Sequence, residues 1–465
     1  VGRLLGPQGA DSLRQMVVDS LFLDLLPEYL QRLAGAGRLV PPALLVPLLQ
    51  HASRSPATTA QLGPVLGRRG HWLAALNPAW QKLLAQSQPA EAPTDDATWD
   101  TGSLPQRLAW LRQRFAQDAD AARALLLAAL PTEPAKTQEA LLEILAEHLH
   151  PDAEPALENL LKARGQDVRR AATELLVRLP GAALTERLWA RAAPLITAKR
   201  KLLGLGSATL EVSLPTTWDK AWLADGIEEK PARFLSAHGP NFHSPVGPAT
   251  ARLTNLLALL PPRRWTPHLG LPPAELLPAA LASDAALPLL TGWAQAALLH
   301  RDADFAAAFL ELWLTQRPAL EKAHCVRGID WVALGALLPP AALHRLLLKP
   351  VVQRVRQQEP DWTADLGFVP APWPRALSAA VLDTLAPRLA HSAPPALPAT
   401  PIYELQQLAW VLPHTVAPRL APADRPWAIA QAEAIPELHP QLLTPVHTFV
   451  ATLRFEQALA ASLTE

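Results

Sequence analysis

Cysteine is almost missing from this chain: Cys325 is the only one in 465 residues. A single thiol excludes an intrachain disulfide and any zinc centre built on several cysteines, and it fits a reducing, cytoplasmic setting. Net charge is missing too. Forty-two Lys and Arg balance forty-two Asp and Glu, so no global field draws in nucleic acid or an acidic membrane surface. Long apolar runs are equally absent. The most apolar stretch, 271–299, is broken by Glu275, Asp284 and several prolines, whereas a membrane span needs roughly 20 mostly apolar residues. The first residues, VGRLLGPQGADSLRQ, lack the charged-then-apolar order of a secretory signal, and no Met stands at position 1. There is no G-x-x-x-x-G-K-[ST], no H-E-x-x-H and no G-x-S-x-G. These absences leave nucleotide binding, zinc hydrolysis and serine hydrolysis without a motif, and the chain is expected to carry no cofactor.

Two residue types are abundant instead. The 49 prolines are about twice the usual share of about 5%, and there are 15 tryptophans. The prolines punctuate Leu/Ala-rich runs, as in VPPALLVPLL (40–49), LLPPRRW (259–265) and LLPPAALHRLLL (337–348). Proline starts or stops helices, so many short helices joined by tight turns are expected. With 49% apolar residues the chain can bury large cores, and its length implies more than one folding unit.

The stretch QDVRRAATELLVRLP (166–180) shows the local pattern. Val168, Ala171, Ala172, Leu175, Leu176 and Leu179 recur at one-face helical spacing. Asp167 is placed to cap the first turn, Glu174 and Arg178 to pair on the outer face, and Pro180 to end the run. Thirty-four residues earlier, Leu141, Leu142 and Leu145 stand where Leu175, Leu176 and Leu179 stand later. Asp118, Ala122, Leu126 and Leu127 likewise match Asp152, Ala156, Leu160 and Leu161. Segments 118–151 and 152–185 therefore read as two copies of a helix–turn–helix unit. The Trp–Leu-Gly–Tyr signature of a tetratricopeptide is absent, and Asp167-Val168-Arg169 at the second helix looks more like a HEAT-type repeat. Such units bury their apolar faces only by stacking, so 104–115 and 184–196 should continue or cap the stack.

The expected fold is all-α: a HEAT-like α-solenoid of helix pairs with one small β-hairpin. The hairpin is placed in 199–215, where Leu210, Val212 and Leu214 alternate with polar residues and Gly204 and Gly206 supply a turn. Residues 228–250 read as an extended loop. The organisation expected is an N-terminal helical region (1–95), the repeats (96–198), the hairpin and loop (199–250), and a C-terminal helical array (251–465).

Several segments resemble an uncharacterised bacterial family of unknown function. They are VLGRRGHWLAALNPAW (65–80), DVRRAATELLVRLP (167–180), LEVSLPTTWDKAWLADGIEEKP (210–231) and TLRFEQALAASL (452–463). Genes of that family lie beside those for SWIM zinc-finger, MoxR-type ATPase and von Willebrand A-domain proteins. The resemblance implies a HEAT-like helical fold and a role with an AAA+ ATPase system, and it brings no catalytic residues.

Candidate sites each admit two readings. Arg68, Arg69, His71, Trp72, Asn77 and Trp80 form either an exposed aromatic–basic patch for a peptide or nucleic-acid strand, or a helix junction. In the second reading Gly67 and Gly70 turn the chain, both tryptophans fill the core and Asn77 caps a helix. That second reading carries more weight. Asp225-Gly226 with Glu228 and Glu229 is either a partner contact or a helix terminus. On the repeats, Arg169, Arg170, Thr173 and Arg178 are expected on an exposed contact face. His238 and His243 lack the further ligands a metal needs, His148 and His150 point to different sides of a helix, and His324–Cys325 lacks a third orienting group. Basic clusters occur at Arg68/Arg69, Lys199–Lys201 and Arg263/Arg264. The function these features favour is a cytoplasmic, non-catalytic protein-interaction scaffold, with nucleic-acid binding through a basic groove as the alternative and an enzyme of unrecognised type as the third.

Overall fold

A computed structural model describes residues 3–20, 22–87, 96–199, 208–227, 247–359, 361–390 and 402–463. Helices dominate these residues, and the strands among them make only two two-stranded sheets. The fold is all-α. The chain forms two compact units: residues 1–95 together with 351–465, and residues 96–350.

Helix ends follow from composition. Ser55, Asp118, Asp302 and Asp330 each accept a backbone N–H of the first turn through the side chain, and Ser103 and Gln106 close a capping box. Proline opens many helices, including Pro7–Val17, Pro78–Ser87 and Pro248–Leu259. Not every proline lies at an end, however: Pro278, Pro318, Pro350 and Pro387 sit inside helices. An internal ring collides with the preceding turn. In Ala303–Lys322 the chain relieves this by leaving helical geometry at Gln316 (φ −134°, ψ 29°).

In the unit formed by the chain's two ends, Leu13, Met16, Leu30, Leu33, Leu48, Leu49, Leu62 and Val65 build a core that Phe455 and Leu459 complete. Phe22 stacks on Phe455 at 4.4 Å, and the Tyr29 and Ser462 hydroxyls share a buried 2.8 Å hydrogen bond. Arg3–Leu4 pairs in parallel with Arg38–Leu39, a ribbon too short to leave a periodic signal.

The central unit begins with helices Leu104–Gln117, Ala119–Ala129, Ala135–Glu147, Glu154–Leu160, Gln166–Leu176 and Ala183–Ala192. Leu126 and Leu160, Leu141 and Leu175, Leu142 and Leu176, and Leu145 and Leu179 are all buried, so the positions 34 residues apart face inward alike. The first helices differ in length chiefly at their C-terminal ends, Ala119–Ala129 running further than Glu154–Leu160. Gly165, not Asp167, is the N-cap of Gln166–Leu176, and Asp167 pairs with Arg170 at 3.3 Å instead.

Strands Ile196–Lys199 and Thr209–Val212 pair antiparallel, Ile196 opposite Val212 and Lys199 opposite Thr209. The first strand thus starts before the expected 199, and the turn with Gly204 and Gly206 lies outside the described residues. Leu210 points inward, but Leu214 is 41% exposed; it lies beyond the last cross-strand hydrogen bond, from Ser213 N–H to the Leu195 carbonyl. Of the expected loop 228–250, residues 248–250 begin the helix Pro248–Leu259. That helix packs on Ala286–Leu299; a Cβ at Gly292 would lie 2.7 Å from Leu257 Cβ, so only glycine allows the approach. Trp265 lies between Trp189 and Trp293 at 4.8 and 5.9 Å.

Candidate functional site

The helix carrying GRRGHW is bent at Gly67, whose φ of 60° with ψ of 179° breaks helical geometry. A side chain there would be strained and would meet Leu39 Cδ1 at 3.0 Å. After the bend the chain is helical to Ala75. One face points inward: Gly70 and Ala74 are buried, and a Cβ on Gly70 would press on Leu66 Cβ at 2.7 Å. The opposite face carries Arg68, Arg69, Trp72, Ala75 and Leu76, all exposed. Trp72 is 62% and Leu76 63% exposed. Among the described residues neither Arg68 nor Arg69 makes an ion pair or a side-chain hydrogen bond. His71 is turned away, its Nε2 3.2 Å from the Gly63 carbonyl.

The two readings of this segment therefore divide residue by residue. Asn77 Oδ1 accepts the Ala79 N–H at 2.9 Å, and Trp80 is half-buried against the core. Trp72 does not fill the core. Two residues beyond Gly70 on the same helix, it lies on the opposite side, where no described residue covers it. Leu76 carries no sequence signal of its own; its place one turn beyond Trp72 is what joins it to the ridge.

The repeat face is spent on internal contacts. Arg169 donates to the Ala163 and Arg164 carbonyls, Arg170 pairs with Asp167 and lies 3.7 Å from Glu174, and Arg178 donates to the Ala146 carbonyl at 3.1 Å. Thr173 is buried, its hydroxyl donating to Arg169 O at 2.8 Å. The expected exposure of these four residues is corrected to half-buried or buried: Arg169 and Arg178 reach carbonyls outside Gln166–Leu176, while Arg170 and Thr173 bond within it. Burial pushes the Glu174 carboxyl up despite the charge of Arg178.

Asp225-Gly226 is a helix terminus: Asp225 ends the helix Lys220–Ala224 and Gly226 follows in the left-handed region, and Asp225 is an internal anchor besides. Buried itself, it accepts from Arg187 Nε at 2.7 Å and from Arg191, and Arg187 also reaches Glu158 at 3.0 and 3.1 Å. Gly226 follows with φ 81° against Thr173, Ile227 is fully buried, and Trp218 Nε1 donates to the Ile227 carbonyl at 3.0 Å. Arg191 lies over Trp222 at 5.4 Å. Together they clasp the segment after the hairpin onto the helices Gln166–Leu176 and Ala183–Ala192. Glu228, Glu229, His238 and His243 lie outside the described residues.

The remaining candidates are separated. His148 stacks on Phe115 at 4.1 Å while His150 pairs with Asp152 at 3.0 Å. Cys325 is buried, and burial pushes its thiol up to about 12, while His324 beside it is exposed. No group of three or more His, Cys, Asp or Glu among the described residues is arranged to hold a metal. Arg263 pairs with Asp302, Arg264 with Glu186 and across Trp189, and Lys199 with Glu211; Arg200 and Lys201 lie outside the described residues. A cleft of about 420 Å³ opens between Arg425–Glu433 and Leu443–Ser462, walled by Ile435, Leu438, Val446 and Val450. Sequence periodicity gives no sign of it, since Val446 and Val450 lie on an ordinary helix face and Ile435 and Leu438 on the connection before it.

No curated protein and no solved structure shows significant similarity to the chain. One family profile does match, over residues 2–463. The chain belongs to DUF5691, a family of unknown function.

Proposed function

We propose that this protein is a non-catalytic interaction scaffold, in which helices 104–192 stack in the manner of HEAT repeats and the Arg68–Leu76 ridge contacts a protein partner. The resemblance to a family encoded beside MoxR-type ATPases makes a component of such a system the first partner to test. One observation carries the reading: two guanidinium groups with no ion pair among the described residues, a Trp and a Leu lie together, exposed, on one helix face. Trp and Arg are the residues most often found at the energetic centres of interfaces, and a large exposed apolar group at the surface marks contact sites. Among the described residues no helix is long and apolar enough to cross a membrane, so a lipid bilayer has no spanning element to explain the exposed Trp.

The test is co-purification from the native host with wild type and Trp72→Ala. At its exposure the substitution should change stability by no more than about 0.5 kcal/mol, while truncating an interface Trp costs about 2 kcal/mol or more of binding, roughly thirtyfold. Equal recovery of every partner by both proteins, or no partner with wild type, would remove the proposal.

A further inference from the structure

The ridge's chemistry narrows the partner. Resting on the scaffold reading above, we infer that Arg68, Arg69, Trp72 and Leu76 select an acidic segment of a partner protein whose apolar side chains recur at helical spacing. Along a helix advancing about 100° per residue, positions 68, 69, 72, 75 and 76 fall within about 120° of arc and about 12 Å of length. That is the footprint of one helix lying across two turns of another. The order along it is fixed: cations at Arg68 and Arg69, then the Trp72 ring, then Ala75 and Leu76. A complementary segment carries carboxylates at one end and an apolar side chain one turn on, to seat between Trp72 and Leu76.

Charge decides the sign. Arg68 and Arg69 are exposed and lack an acidic neighbour among the described residues, whereas Arg170, Arg187, Arg191, Arg263 and Arg264 each have one. A pair left without an acidic neighbour among the described residues, on a chain of zero formal net charge, is a local feature that a partner's acids would complete. A nucleic-acid strand fits less well. It gains affinity from many phosphate contacts, and the ridge offers two cations. Two of the five ridge positions, Ala75 and Leu76, are aliphatic and have no base or phosphate to meet.

The experiment uses the full chain and two fluorescein-labelled 14-residue peptides. Both carry Leu at the same i, i+3, i+4 and i+7 positions; the rest are Glu in one and Lys in the other. By fluorescence anisotropy at low salt, wild type should bind the Glu peptide about tenfold more tightly than the Lys peptide, the scale of two exposed ion pairs. Arg68→Glu/Arg69→Glu should reverse that order, and Trp72→Ala should weaken both complexes, with unchanged melting temperatures. Equal affinities, an order unmoved by the double reversal, no saturable binding of the Glu peptide, or tighter Arg-dependent binding of a 15-nucleotide oligothymidylate would each overturn the inference. If host partners still depend on Trp72 while the peptide order does not reverse, the acidic-partner inference falls and the scaffold stands. If host recovery is independent of Trp72, both fall.

Discussion

Replacing Gly226 by alanine tests the Asp225–Gly226–Ile227 clasp. Two costs are expected. Gly226 has φ 81°, in the left-handed region, where a Cβ costs about 1–2 kcal/mol. The new Cβ would also stand 2.4 Å from Thr173 Oγ1 and 2.8 Å from its Cγ2. Thr173 cannot swing away easily, since it is buried and its hydroxyl is held by the Arg169 carbonyl; overpacking of that kind adds about 1–3 kcal/mol. The sum is about 2–5 kcal/mol, or roughly 5–15 °C in melting temperature for a unit of this size. The same unit contains its own control. Gly181 has φ 74°, and a Cβ added there would meet nothing within 4 Å, so Gly181→Ala carries the backbone strain without the collision. Thermal unfolding followed by far-ultraviolet circular dichroism should rank wild type, Gly181→Ala and Gly226→Ala in falling stability. In a Thr173→Ala background the Gly226→Ala cost should shrink toward that of Gly181→Ala. Gly226→Ala melting as high as Gly181→Ala, or no relief from Thr173→Ala, would show that the segment does not close on Thr173.

Three further outcomes follow from buried chemistry. Asp225→Asn removes the charge that holds Arg187 and Arg191 and should cost about 2–4 kcal/mol in denaturant unfolding; a change below about 0.5 kcal/mol would mean the clasp stands without it. Cys325, its thiol pushed up to about 12 by burial, should be about one part in ten thousand thiolate at pH 8. Native protein should then leave iodoacetamide unreacted while denatured protein consumes one equivalent, and equal labelling rates would contradict the burial. Burial raises the Glu456 carboxyl above its ordinary value despite Arg425 at 2.6 Å. The native state holds that proton more tightly than the unfolded chain. The contribution is therefore fully present below the ordinary carboxyl pKa and is lost as pH rises through the raised one. The melting-temperature difference between Glu456→Gln and wild type should grow in the variant's favour as pH is raised from about 4 to 7, and a difference flat in pH would refute the assignment.

Much of the local architecture is legible in the chain. Helical spacing places Leu141, Leu142, Leu145, Leu175, Leu176 and Leu179 on buried faces, where they lie, and alternation at 209–212 marks a strand. The side chains on the other faces are less legible. Arg169, Arg178 and Thr173 read as an exposed surface because periodicity says which side of a helix is polar, and not how deeply packing sinks that side or which carbonyls lie within its reach. Asp225 reads as a helix terminus or a partner contact, and its anchoring role stays hidden because Arg187 and Arg191 precede it by more than thirty residues. Trp72 reads as core because tryptophan usually is; that no described residue covers its side of the helix is something no spacing rule supplies.

By itself, then, the sequence determined the helical class, the single inert thiol, the absence of a net field and most of the apolar faces. These depend on residue type and on contacts within a few turns. Tertiary structure alone decided that the two ends of the chain share one core, that Asp225 is locked between two arginines, and that Arg68 and Arg69 stay without an acidic neighbour among the described residues, beside an exposed Trp72. Each of these is settled by which distant groups arrive at a given point in space, and the free energy of burying or pairing a charge depends on those neighbours far more than on the residue that carries it.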